Sequence, residues 1–158
     1  MRLPFAIRVS IPILAVLLFS SSVIAQQPAP QDKPVLTTAE KQKKYEDAIA
    51  PYVKQARDTL PGAKAKFLAG LKHGDALFVT IRVYDDPKHF EQVFVQVTGW
   101  EGDTIKGLLA SDLEVVKTHK KGELVTCKKE DVYDWTISKA DGTEEGNFVG
   151  KFLETYQP

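Results

Sequence analysis

Residues 74–84 read GDALFVTIRVY, and here the chain changes its period. Before Gly74, apolar residues recur about every 3.6 positions, the spacing of one helix face. After it, Leu77, Val79, Ile81 and Val83 alternate with Phe78, Thr80, Arg82 and Tyr84. That is the period of a strand with two distinct faces. The chain therefore passes from helix to sheet at this glycine.

Upstream, Thr37 and Glu40 stand in a T-x-x-E capping box that opens a helix. Tyr45, Ile49, Tyr52 or Val53, Ala56 and Leu60 form its apolar stripe. Pro51 removes a backbone donor inside that pattern, so the segment is one kinked helix or two. Pro61 repeats the interruption, with Asp58 or Thr59 as cap of a further helix carrying Phe67, Leu68 and Leu71. Lys72 and His73 suit its negative end, and Gly74 suits a left-handed stop.

Downstream, Asp85, Asp86 and Pro87 make a turn. Strands are expected over 90–98, 104–109 and 123–128, with a polar connection over 111–123. Residues 132–138 and 145–153 read as a final hairpin around Asp141-Gly142. Helices first and a meander of five or six short strands after them predict an α+β fold. The N-terminal helices would pack on one face of an antiparallel sheet. An open sheet and a small, partly open barrel both fit this pattern.

The N-terminus carries a different signal. Arg2 and Arg8 precede and open an uncharged apolar run over 9–19, and small or aliphatic residues lead to Ala25. This is the make of a signal peptide over 1–25, cut after Ala25. The run falls short of the ~20 apolar residues that span a bilayer, so no stable membrane anchor is expected after cleavage. Residues 26–36, with Pro28, Pro30 and Pro34, read as a flexible linker. Residues 37–158 then form a single domain, periplasmic or secreted.

The whole chain has 158 residues, with 21 Lys+Arg against 21 Asp+Glu. Loss of two leader arginines leaves a mature charge of about −2. This argues against a nucleic-acid partner, which requires a basic face. Cys127 is the one cysteine, so no internal disulfide can form. Its place on a strand face with Val125 favours a buried thiol over pairing between chains.

Several segments together resemble a known family. They are 56–61 (ARDTLP), 91–95 (EQVFV), Gly107-Leu108, 122–125 (GELV), 132–135 (VYDW) and 146–148 (GNF). The pattern is similar to the YegJ-like bacterial domain of unknown function. It covers roughly 56–153, and the Asp-Trp pair with its return through Gly-Asn-aromatic is its most specific part. Gln92, Phe94 and Val149 depart from the family's usual His, Trp and Thr. The resemblance implies an α+β outline and is compatible with export; it implies no activity, substrate or cofactor.

Candidate chemistry is sparse. Asp134 and Trp135 read either as a binding corner, carboxylate beside indole, or as a strand bend with a core ring. Gly146-Asn147 reads as a bend or bulge, with Asn147 a candidate binding residue. Glu91 is a candidate general base or binding group, against the plainer reading of a solvated strand carboxylate. His73, His89 and His119 lack zinc-ligand spacing, so no metal or cofactor is predicted. The acidic runs around Asp131 and Glu144 do not match a calcium loop. Lys117, His119, Lys120 and Lys121 form a short basic loop suited to an acidic partner or to solvent.

These readings predict an exported, non-catalytic module that binds an unidentified protein or small ligand through Asp134, Trp135, Asn147 and Glu91. Two alternatives are a small exported hydrolase using Glu91 or Asp134, and an inhibitor or immunity-type partner protein.

Overall fold

The structure, a computed structural model, describes residues 39–157. The expected signal peptide, the linker and Thr37 of the capping box lie outside the described residues. Helix α1 (Ala39–Ala69) comes first, followed by strands β1 (Ala76–Asp86), β2 (His89–Glu101), β3 (Thr104–Leu109) and β4 (Leu124–Lys128). A 3-10 turn (Lys129–Asp131) leads to β5 (Asp134–Ser138), β6 (Glu144–Gly146) and helix α2 (Phe148–Thr155). The fold is α+β, as expected.

The six strands form one antiparallel sheet in the order β4-β3-β2-β1-β5-β6. The link from β4 to β5 shows its shape. Four strand spacings separate them, about 19 Å in a flat sheet. The connection is a 3-10 turn and two further residues, which reach about 16 Å. The sheet is therefore strongly curled, yet β4 and β6 do not pair to close it.

The inward face carries the alternating set read from the sequence. Leu77, Val79, Ile81 and Val83 join Val93, Val95, Val97, Ile105, Trp135 and Ile137 against Ala56, Leu60 and Ala63 of α1. Small residues on the helix let it lie close to the sheet. A second cluster joins Ile49 and Val53 of α1 to Val149 of α2.

Two elements differ from expectation. Pro51 and Pro61 both lie inside one continuous α1, which ends at Gly70 (φ 92) four residues before Gly74. Apolar contacts along α1 outweigh the two missing backbone bonds. The expected strand over 145–153 is instead the short β6 followed by α2. So one helix precedes the sheet and one follows it.

Candidate functional site

Asp134 lies at the start of β5 and is 3% exposed. Its Oδ1 accepts the N–H of Trp135 at 2.8 Å and of Phe148 at 3.2 Å. Its Oδ2 accepts Val149 at 2.7 Å and Gly150 at 3.4 Å. The last three donors are the first N–H groups of α2, which have no partner within the helix. Asp134 is thus a cap delivered from another strand. Burial pushes its carboxyl above the usual range, against the opposing pull of these four bonds.

Glu91 plays the same part for a loop. The plainer of its two sequence readings, a solvated carboxylate, does not hold: Glu91 is 5% exposed. Its oxygens accept the N–H groups of Glu114, Val115 and Val116 at 2.9–3.2 Å. Asp85 continues the run, taking the N–H groups of Lys117 and Thr118 and the Thr118 hydroxyl. Two carboxylates thereby hold five consecutive amides of the connection between β3 and β4. The Thr118 hydroxyl and the two amides hold the Asp85 carboxyl below its usual range.

Trp135 is 4% exposed, with Nε1 donating to Ala56 O at 3.1 Å and Thr59 Oγ1 at 3.0 Å. Its ring meets Phe148 edge-on at 5.8 Å. Asn147 is left-handed (φ 57), and its Nδ2 donates to Glu144. The structure therefore brings Asp134, Trp135 and Asn147 together at the joint of β5, β6 and α2. Glu91 is elsewhere, on β2 beneath its loop. A shallow open groove of about 680 Å³ beside the joint is lined by Thr59, Trp135 and Phe148. Its charges are taken up in the pairs Lys54–Asp58, Lys66–Glu145 and Lys151–Glu144.

Several of the remaining sequence candidates have local partners. His89 bonds Asp86, and His119 bonds Glu123. In the basic loop, Lys117 reaches Glu114 O and Lys121 pairs with Asp112. Asp131 accepts the Lys128 N–H, and Asp141 accepts Thr143. Burial, with the Asp131 charge second, pushes the Cys127 thiol up to about 11. Among the described residues, no group of three or more His, Cys, Asp and Glu stands ready for a metal ion. None of the described helices is long and apolar enough to cross a membrane.

The polar cluster that sequence reading missed is centred on Arg82. Its guanidinium lies 4.4 Å from the Phe90 ring centroid and 4.2 Å from that of Tyr133, and it pairs with Glu46 of α1. Directly across the β1–β2 ladder is Gln92, whose Oε1 accepts the Tyr45 hydroxyl at 3.0 Å. Among the described residues, Arg82 Nε and Gln92 Nε2 are both buried without an acceptor. Tyr84, 47% exposed, packs on Phe90 at 5.7 Å, and Arg57 lies over the far-reaching Tyr133 ring at 5.7 Å. The signal for this cluster was the register of the β1–β2 hairpin. Once Tyr84 is paired with Phe90, past the register shift between Tyr84 and Asp86, Arg82 must face Gln92.

No curated protein and no solved structure matches the chain. The family described as "Uncharacterized protein conserved in bacteria (DUF2314)" matches residues 62–155. That span takes in all six strands and the whole of α2. The chain belongs to this bacterial family.

Proposed function

We propose that the domain is a non-catalytic binding module, exported by its first 25 residues, and that it meets a protein partner through the surface around Arg82. The observation that carries this reading is a contiguous set of Tyr, Phe and Arg side chains over two buried donors without acceptors. Tyr and Arg are the residue types enriched where protein contacts are strongest. Buried N–H groups without partners cost about 1–3 kcal/mol each, a cost that an incoming acceptor removes. The hydrolase alternative needs Glu91 or Asp134 as a working acid or base. Three and four backbone amides respectively occupy those carboxylates, so the reading of both as framework is the better supported.

Site-specific photocrosslinking tests the surface. A benzophenone side chain at Tyr84 should give one discrete protein adduct in the producing cell. The same group at Leu124, also exposed but on β4, should not. Equal adducts at both positions, or none at Tyr84, would reject this surface. Mass spectrometry of the purified mature protein tests export, with an N-terminus at Gln26 expected and an intact Met1 contradicting it.

A further inference from the structure

The chemistry of the Arg82 cluster also indicates what the partner presents. Rings of Phe90 and Tyr133 engage the guanidinium, which leaves its N–H edge for hydrogen bonding. Glu46 holds one nitrogen of that edge, Nη2; Nε has no acceptor among the described residues. Gln92 Nε2, on the residue paired directly with Arg82, has none either. Two adjacent donors at a guanidinium edge match the two oxygens of one carboxylate, the planar partner for which Arg geometry is suited. The Glu46 carboxylate shows that this edge accepts such a group, and it comes from the first turns of α1 and is one-third exposed.

We infer that Arg82 and Gln92 form a subsite for the carboxylate of an acidic side chain of the protein partner, and that Glu46 stands in for it in the free chain. The inference rests on the binding reading above and adds its recognition chemistry. An incoming carboxylate takes Arg82 Nε and Nη2 together with Gln92 Nε2, and Glu46 turns out to solvent. Glu46 is therefore a competitor, and weakening it should strengthen binding. A Gln92 amide turned to offer Oε1 to Arg82 would close the site internally, and it predicts no response to ligand.

The probes are N-acetylglycine, which carries a free carboxylate, and N-acetylglycinamide, which is neutral and of similar size. The readout is the side-chain amide resonance of Gln92 in nitrogen–proton correlation spectra of the intact domain. N-acetylglycine should shift that resonance, at about tenfold lower concentration in Glu46→Gln than in wild type. The amide probe should leave it in place, and Arg82→Lys should abolish the response. If Arg82→Lys does not fold, Gln92→Leu serves, with the Arg82 Nε–H resonance shifting only at several-fold higher ligand. A Gln92 signal unmoved in both wild type and Glu46→Gln, or moved equally by the amide, overturns the subsite. So does a response that survives Arg82→Lys. A discrete Tyr84 adduct with no carboxylate response keeps the docking surface and removes the subsite; the opposite result removes only the docking surface.

Discussion

At the scale of single residues, three carboxylates are spent on runs of backbone N–H. Asp134 takes four, Glu91 three and Asp85 two with a hydroxyl. Hydrogen bonds to charged groups contribute roughly 1.5–3 kcal/mol, and the donors left behind are costly when buried. Asp134→Ala should therefore destabilise the domain by about 3 kcal/mol in urea unfolding. The pH dependence has a defined sign. Burial raises the folded-state value of Asp134 above the ordinary carboxylate value, so the native state holds its proton longer. The stabilisation is complete below the unfolded value and is lost as pH rises through the folded one. Wild type should accordingly lose stability relative to Asp134→Asn as pH rises across that window; a gap that widens instead would contradict the shift. Trp135→Ala should cost about 3–5 kcal/mol, since it empties a core position. Trp135→Phe, which keeps one ring but loses the Nε1 donor and part of the indole volume, should cost less than Trp135→Ala, about 1–3 kcal/mol. Asp134 was legible as a bend residue because Asp beside a hairpin commonly accepts local N–H groups. Glu91 was not, because its partners lie 23–25 residues further along the chain in a loop without periodicity.

At the scale of elements, the strands were the legible part. Alternation placed β3 at 104–109 and β1 within two residues at each end, because one face of each must be buried. The turn at Gly146-Asn147 was also readable, yet α2 was not. Its first-turn donors are capped by a carboxylate from β5, and no local cap announces it. Two glycines separate the demands of the elements. A Cβ at Gly146 (φ +82) would lie 2.3 Å from Trp135 O and 2.7 Å from its ring. Gly62, inside α1, has nothing within 4 Å of such an atom. Gly146→Ala should lose more than about 2 kcal/mol in thermal unfolding, through strain and clash together. Gly62→Ala should gain about 0.5–1 kcal/mol, the ordinary benefit of Ala over Gly within a helix.

At the scale of the whole molecule, a curled but unclosed sheet wraps one face around α1, and carboxylates tie the loop and the second helix to it. The α+β class followed from the single change of period at Gly74. The curl did not, because it follows from how few residues join β4 to β5 across the sheet order. The Arg82 cluster likewise exists only after folding, when α1 brings Tyr45 and Glu46 over the β1–β2 hairpin. The central claim is that Glu91 and Asp134 serve the framework rather than a reaction. Amide hydrogen exchange on Glu91→Gln and Asp134→Asn tests it most directly. The amides of 114–116 in the first variant, and of 148–150 in the second, should lose protection well before those of Val79 and Val95. Wild-type protection at those amides, together with loss of a measurable turnover in either variant, would contradict the account.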